Sequence, residues 1–148
     1  SGMGTGTRLI KLDTEGSKSG WFANELWTTL QFKPDYNDFV VYEGNLYGFD
    51  SGIFTCIDLK TGKRQWKGGR YGKGQVLLLE DSGLLLIAAE KGQLVLLEAT
   101  PEARTELFKM DALEGRTWNH PVVVGDRLYL RNSSEAVAFQ LPVLGTKP

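Results

Sequence analysis

The stretch from Ile53 to Trp66, IFTCIDLKTGKRQW, is the clearest local unit in the chain. Residues 53–58 are rich in β-branched and aromatic side chains, which favours a strand. Residues 60–62, Lys-Thr-Gly, supply a turn in which the glycine can adopt a positive φ. Residues 63–66 then return as a second strand. The sequence therefore predicts a β-hairpin here, with the indole of Trp66 packed against a neighbouring element.

The same unit recurs along the chain at a regular spacing. A polar residue ends each copy of the central strand, at Asp13, Asp58, Glu98 and Gln140, in steps of 40 to 45 residues. A second landmark keeps this step: two apolar strands around a polar turn, in residues 39–49, 76–88 and 122–130. Glycine with aspartate or asparagine at these turns suits tight antiparallel connections. A period of this size with four short strands is typical of a β-propeller blade.

These repeats predict an all-β fold, a partial β-propeller of about three four-stranded antiparallel blades. We place partial N-terminal blade strands in residues 8–34, blade one in 35–71, blade two in 72–116 and an incomplete blade three in 117–148. Within the first range, the strands are expected at 8–12 and 26–31.

An open arc of blades would expose an apolar face at each end, and such faces mark interfaces. We therefore expect the remaining blades of a larger propeller, or another protein partner, to cover them. Self-association is the alternative, with the N-terminal strands completing the C-terminal blade of the same or a second copy.

One segment gives conflicting signals. Residues 100–115 begin with Thr-Pro-Glu, continue with strong helix formers and end on Gly115, which locally favours a helix. The repeat, however, places Phe108 close to the position that Trp66 holds in blade one. Because tertiary context often overrides intrinsic propensity, we predict a strand over residues 105–110.

Composition sets broad limits on the function. The 148 residues are 41% hydrophobic and 24% charged, and 17 basic against 18 acidic side chains give a net charge of −1. Without a block of like charge, neither nucleic acid nor an acidic membrane is the expected partner. No apolar run approaches the roughly 18 residues of a membrane helix, so membrane insertion is not expected.

Cys56 is the single cysteine, which excludes intrachain disulfides and cysteine-rich zinc sites.

With Asp58, Thr61, Gly62 and Trp66, the central unit resembles the tryptophan-docking repeat of the pyrroloquinoline-quinone-like (PQQ-like, quinoprotein alcohol dehydrogenase-like) β-propellers. The resemblance implies that the indole lies between neighbouring blades and that Asp58 and the Thr-Gly turn fix the hairpin. The chain departs from the pattern at several places, with Cys56 where alanine is usual, and Glu98, Phe108 and Gln140 in the later repeats.

The resemblance implies a fold more strongly than a function, because this propeller serves both quinone-dependent dehydrogenases and non-catalytic scaffolds. One such scaffold is the lipoprotein of the outer-membrane barrel-assembly machinery, and the resemblance suggests a periplasmic or secreted location. We expect a non-catalytic scaffold or binding module without a cofactor. The alternative is a fragment of a PQQ-dependent alcohol or sugar dehydrogenase, which would need calcium and often a disulfide of adjacent cysteines.

Residues 68–74, GGRYGKG, invite a comparison with phosphate-binding loops. The comparison fails because Lys73 is followed by Gly74 rather than by Ser or Thr, and the segment leads into a strand rather than a helix. A flexible connection between blades is the simpler interpretation.

The links between consecutive blades are the better candidate site. In a propeller these links open on one rim of the central channel, and polar groups beside an aromatic ring there could bind a small ligand, a carbohydrate or a partner. The candidate rim residues are Asn37, Asp38, Lys73, Gln75, Trp118, Asn119 and His120. The alternative is that these are solvated loop residues and that Trp118 packs as a wedge between blades. His120 is the only histidine, and no Gly-x-Ser-x-Gly motif accompanies it for hydrolysis.

Overall fold

The computed structural model describes residues 4–14 and 20–142. This part of the chain forms thirteen β-strands, in chain order β1 (Thr7–Asp13), β2 (Phe22–Thr29), β3 (Val40–Tyr42), β4 (Asn45–Asp50), β5 (Ile53–Asp58), β6 (Arg64–Arg70), β7 (Gln75–Leu79), β8 (Leu84–Ala88), β9 (Gln93–Glu98), β10 (Glu106–Asp111), β11 (Val122–Val124), β12 (Arg127–Arg131) and β13 (Ala136–Gln140). A single 3₁₀ turn, Glu80–Ser82, joins β7 to β8.

The strands form four antiparallel sheets, and each strand pairs with its neighbours in sequence. The orders are β1-β2, β3-β4-β5-β6, β7-β8-β9-β10 and β11-β12-β13. We call the two four-stranded sheets blade one and blade two, and the three-stranded sheet the third sheet. The predicted fold class, a partial β-propeller of four-stranded antiparallel blades, is confirmed.

Tight turns produce the hairpins of blade one. In the turn from β3 to β4, Glu43 and Gly44 have φ values of 44° and 75°. In the turn from β4 to β5, Ser51 and Gly52 have φ values of 51° and 82°. Two consecutive residues with positive φ twist the chain in the sense of the flanking strands, which is why such turns favour antiparallel pairing.

The hydrophobic core lies in the seams between sheets. In β8, Leu85 and Ile87 belong to the apolar cluster shared with blade one, whereas Leu86 and Ala88 belong to the cluster shared with the third sheet. Side chains alternate between the two faces of a strand, so a run of consecutive apolar residues covers both faces at once. All five residues of β8 are apolar because blade two packs against another sheet on each of its faces.

The structure resolves the conflict in residues 100–115 in favour of a strand. Strand β10 pairs with β9 in antiparallel register, with Lys109 opposite Val95. The segment forms a strand despite its helical propensity because β9 offers a row of backbone hydrogen-bonding groups, whereas an isolated helix of this length is only marginally stable in water.

At the N-terminus the strands begin earlier than expected, since β2 covers Phe22–Thr29 rather than residues 26–31. Strands β1 and β2 pair with each other, and β13 has no fourth strand beside it within the described residues. The N-terminal strands therefore do not complete the third sheet of the same chain. Completion by a second copy stays a prediction, and residues 143–148 lie outside the described part.

Candidate functional site

Two tryptophans connect neighbouring sheets through their indole N–H groups. Trp27 on β2 donates to the carbonyl oxygen of Leu59, just after β5, at 2.9 Å. Trp66 on β6 donates to the carbonyl oxygen of Thr100, just after β9, also at 2.9 Å. The Trp66 ring lies 6.1 Å from the ring of Tyr47 and 6.0 Å from that of Phe54, measured between centroids. Trp66 thus combines a hydrogen bond across the seam with aromatic packing inside its own blade, and Trp27 makes the corresponding hydrogen bond between the N-terminal hairpin and blade one.

The turn after β5 forms the seat for Trp27. One carboxylate oxygen of Asp58 accepts hydrogen bonds from the backbone N–H and the hydroxyl of Thr61, both at 2.7 Å. These hydrogen bonds lower the pKa of Asp58, because they stabilise its charged form. Gly62 has a φ of 70°, and a Cβ there would lie 2.8 Å from the Trp27 ring. The Asp-Thr-Gly turn of blade one therefore supports the tryptophan of the preceding sheet, not its own Trp66.

Phe108 does not repeat this arrangement. It lies opposite Leu96, as Trp66 lies opposite Cys56, yet its side chain is 51% exposed. Met110 on the same strand packs against the cluster shared with the third sheet instead. A phenyl ring has no N–H group to donate to the neighbouring backbone, so the repeat position alone does not place it in the seam.

The three links between successive sheets meet at one rim. Hydrogen bonds between the links connect most of the predicted rim residues there. The side-chain amide of Asn37 donates to the carbonyl oxygen of Gly74 at 2.5 Å. Gln75 accepts from the backbone N–H of Asp38 at 3.4 Å and donates to the carbonyl oxygen of Trp118 at 3.3 Å. Asn37 and Gln75 are buried. Their amide groups are thus used to join the links rather than to face a ligand.

Glu90 is a central rim residue that the sequence reasoning missed. Its carboxylate accepts the indole N–H of Trp118 at 3.0 Å and the backbone N–H of Lys73 at 3.2 Å. Burial acts to raise the pKa of Glu90, but these hydrogen bonds and the charges of Arg116 and Lys73 outweigh it, so the pKa lies below its usual value. Glu90 is therefore an anion that holds two links together.

The aromatic part of the rim is a pair of rings flanked by cations. The rings of Tyr36 and Trp118 meet edge to face at 5.7 Å between centroids. The Lys73 ammonium lies 5.3 Å from the centre of the Tyr36 ring, and the Arg116 guanidinium lies 4.8 Å from that of Trp118. Trp118 is 41% exposed, so part of its ring faces the solvent at the rim.

Two of the remaining rim residues, Asp38 and His120, lie in the solvent. His120 Nε2 lies 3.1 Å from a carboxylate oxygen of Asp38, and both side chains are largely exposed. Polar contacts between exposed side chains of this kind add little to stability, about 0 to 1 kcal/mol. Asn119 is partly buried beside His120. Lys73 forms a further ion pair with Asp35 at 3.4 Å.

Cys56 and the His, Asp and Glu side chains are the described residues that bear on nucleophilic or metal chemistry. Cys56 is fully buried, and burial raises the pKa of its thiol to about 12, so it stays protonated and unreactive near neutral pH. Across residues 4–14 and 20–142, no three side chains of His, Cys, Asp and Glu converge into a possible metal site. No helix in the same part of the chain is long and apolar enough to cross a membrane.

Comparison with known proteins identifies the fold but no family. No protein-family model and no curated protein sequence matches the chain. Among solved structures, BamB from Moraxella catarrhalis, a β-propeller, is 17% identical with a TM-score of 0.63 over 95% of this chain and 45% of that chain. The computationally designed Ika8 protein is 9% identical with a TM-score of 0.63, over 90% of this chain and 43% of its own. The chain spans less than half the length of either, and the similarity shows that it folds as an arc of a β-propeller.

Proposed function

We propose that this chain is a non-catalytic β-propeller scaffold that acts by binding protein partners, as part of a larger propeller or assembly. The observation that carries this proposal is a face of the three-stranded sheet that no described residue covers and that is apolar except for Arg127, Arg131 and Gln140. Leu128 and Leu130 of β12 pack against blade two, whereas Val124 and Tyr129 point to the opposite face and are exposed, Val124 to 64%. We call this opposite side of β11, β12 and β13 the outer face.

The outer face has a ridge of side chains next to a hollow, a shape that suits packing against another sheet. Val122, Tyr129 and Ala138 lie side by side in register across the three strands. The small Ala136 and Ala138 border a hollow of about 330 Å³ beside His120. A hollow bordered by small residues can receive side chains from a neighbouring sheet, as the covered face of the same sheet does against blade two.

The N-terminal hairpin also exposes apolar side chains at the other end of the arc, on both of its faces. Its exposed apolar side chains are Ile10, Leu12, Phe22 and Leu26, with Trp21 just before β2. Exposed apolar groups concentrated on both terminal sheets favour binding to further blades or partner proteins over a free monomer.

The fold comparison supports a scaffold as well, because BamB is a barrel-assembly lipoprotein. Membership of the PQQ-like propellers is part of our proposal. It is supported by the Asp58-Thr61-Gly62 turn and by the indole contacts of Trp27 and Trp66. The absence of catalysis is also proposed, and the buried, protonated thiol of Cys56 supports it. The rim is a weaker candidate for a small-ligand site, since the amides of Asn37 and Gln75 already join the links.

Light scattering combined with the binding of an apolar dye tests the proposal. We expect the chain at micromolar concentration to self-associate or to bind the dye, and Val124→Lys to reduce both while far-UV circular dichroism stays unchanged. Lys109→Glu on β10 is the control, since it changes charge away from the outer face. A monomer that binds no dye would contradict the scaffold proposal, as would dehydrogenase turnover with added quinone and calcium.

A further inference from the structure

The third sheet ends at a strand whose sequence is typical of a strand inside a sheet. Strand β13, AVAFQ, contains no charged residue, no proline and no glycine. It is the third strand of its sheet, as β5 and β9 are in blades one and two, but within the described residues it pairs with β12 alone. Edge strands usually carry charges that discourage pairing with other chains. The outer strands of the two blades do so, with Arg64, Lys67 and Arg70 on β6 and Glu106, Lys109 and Asp111 on β10.

The free edge of β13 is also regular. Its pairing with β12 runs from Ala136 opposite Arg131 to Gln140 opposite Arg127 without a register shift. Strands β6 and β10, in contrast, shift register against their partners, and β6 contains Gly69 with a φ of 79°. No residue of β13 has a positive φ. Another strand can therefore pair along the full length of β13.

Two flanking hydrogen bonds show which backbone groups of β13 face its free edge. The N–H of Leu141 donates to the carbonyl oxygen of Asp126 at 2.7 Å, and the N–H of Asn132 donates to the carbonyl oxygen of Glu135 at 3.0 Å. Residues 135 and 141 thus direct their backbone groups to β12, and this direction alternates from one residue to the next. The N–H and C=O groups of residues 136, 138 and 140 therefore point away from β12. Within the described residues, no hydrogen bond occupies them.

An apolar surface continues beyond this edge on blade two. Phe108 and Met110 of β10 lie opposite Leu96 and Leu94 of β9, which belong to the cluster shared with the third sheet, so both side chains point towards that sheet. Met110 packs in the cluster, whereas Phe108 is 51% exposed. Blade two has four strands and the third sheet has three, so no described strand lies opposite β10. A fourth strand beside β13 would cover Phe108 and extend the existing seam.

Two arginines lie on the other side of the position for an added strand. Arg127 and Arg131 are on the outer face of β12 together with Tyr129. Within the described residues, neither arginine is in an ion pair. Arg131 lies opposite Ala136, whose small side chain leaves the guanidinium free to reach towards the next strand. The arginines therefore favour acidic side chains on the outer side of an added strand.

A single extended segment fits this edge better than the β13 strand of a second copy. Two antiparallel β13 strands would be related by a two-fold axis perpendicular to their sheet, which places the blade-two sheets of both copies on the same side. Because blade two is one strand wider than the third sheet, β10 of each copy would overlap β9 of the other. A lone strand does not meet this obstacle.

We propose that the free edge of β13 binds an extended segment of a partner protein, which completes the third sheet as its fourth strand. Backbone hydrogen bonds hold the segment at residues 136, 138 and 140. The side chains of the segment alternate, with apolar residues packed on Phe139 and Phe108 and acidic residues beside Arg127 and Arg131. This inference rests on the proposed partner-binding function and adds where one partner binds and what chemistry its segment carries.

Fluorescence anisotropy with labelled synthetic peptides tests the inference. The probe is a short peptide of alternating valine and glutamate, and the charge control has lysine in place of glutamate. We expect the control to bind at least about tenfold more weakly, which corresponds to about 1.4 kcal/mol.

Two N-methylated forms of the probe separate strand pairing from other modes of binding. With the glutamates on the outer side, their N–H groups face β13 and the valine N–H groups face away from it. Methylation of every glutamate nitrogen should therefore abolish binding, whereas methylation of every valine nitrogen should preserve it.

Variants of the protein locate the site. Ala138→Pro removes an N–H that faces the free edge, a position at which an edge strand tolerates proline. It should abolish binding of the probe while far-UV circular dichroism stays unchanged. Arg131→Glu should weaken binding of the probe by at least about tenfold, and this test does not depend on the folding of the proline variant. Lys91→Glu, in the exposed turn between β8 and β9, is the charge control and should leave binding unchanged.

The outcomes are distinct. Absence of binding by the probe overturns the inference, as does equal binding of the two N-methylated peptides. A peptide of residues 143–148 that binds more tightly than the probe would assign the edge to the chain's own C-terminal residues, and a dimer that dissociates in Ala138→Pro would assign it to a second copy. Either result also overturns the inference. Val124 lies on β11, at the opposite edge of the sheet, so the dye-binding test of the scaffold proposal stands or falls separately.

Discussion

Replacing Trp66 with alanine tests how the seam between blade one and blade two is held. The substitution removes the hydrogen bond to the Thr100 carbonyl and the contacts with Tyr47 and Phe54. Large-to-small changes at a buried tryptophan cost about 3 to 5 kcal/mol. Because Trp66 is only partly buried, we expect the lower end, a loss of about 3 kcal/mol in the free energy of unfolding.

A graded series of variants divides this loss into its parts. Trp66→Phe keeps a ring in the seam and removes the N–H donor, so it should cost about 1 kcal/mol. Trp21→Ala is the matched control, because Trp21 is 75% exposed and its removal should change stability by less than about 0.5 kcal/mol. The assay is urea denaturation followed by far-UV circular dichroism. In thermal melts, Trp66→Ala should lower the midpoint by about 6 to 12 °C, given about 2 to 4 °C per kcal/mol for chains of this size.

Two results would refute the reasoning on Trp66. If Trp66→Ala melts with the wild type, the indole does not hold the seam. If Trp21→Ala costs as much as Trp66→Ala, the loss reflects tryptophan removal in general and not the contacts between blades.

Three other predictions concern single positions. Gly62→Ala should lower the free energy of unfolding by about 2 kcal/mol more than Gly44→Ala does, as measured by urea denaturation. Both glycines have positive φ, but only a Cβ at Gly62 meets the Trp27 ring. Equal losses would contradict the packing of Trp27 on Gly62. Glu90→Gln should lower stability at neutral pH, and the difference from wild type should shrink in acid. A carboxyl group with a lowered pKa in the folded state adds stability at pH values above the ordinary pKa, and this stability is lost as the pH falls through the lowered pKa. A pH-independent difference would argue against a charged Glu90. Cys56 should resist thiol reagents in the native protein and react only on unfolding, so rapid labelling of the native protein would be inconsistent with the burial of the thiol.

The candidate rim shows the limit of sequence reasoning at a site. The repeat spacing pointed to the three links, and Asn37, Gln75 and Trp118 do meet there. Glu90 escaped notice because it precedes the turn into β9 and no motif marks it. Its indole donor, Trp118, is 28 residues further along the chain. Such contacts arise only when successive sheets are stacked, so a pattern within one repeat does not reveal them.

Local pattern can also be misleading about the role of an aromatic residue. Trp66 and Phe108 occupy equivalent positions on β6 and β10, yet one connects two sheets and the other is half exposed. The indole has both a ring and a donor for the backbone across the seam, whereas the phenyl ring depends on how much apolar surface the next sheet offers.

The amino-acid sequence by itself determined the strands, their antiparallel hairpins and their grouping into blades, because these depend on local turn chemistry and on the two-residue period of apolar side chains. The repeat also decided correctly for a strand at β10, where local propensity favoured a helix. Only the tertiary structure decided which turn supports Trp27 and that Glu90 joins the rim. These features depend on the relative placement of whole sheets, which is set by packing between residues far apart in the chain.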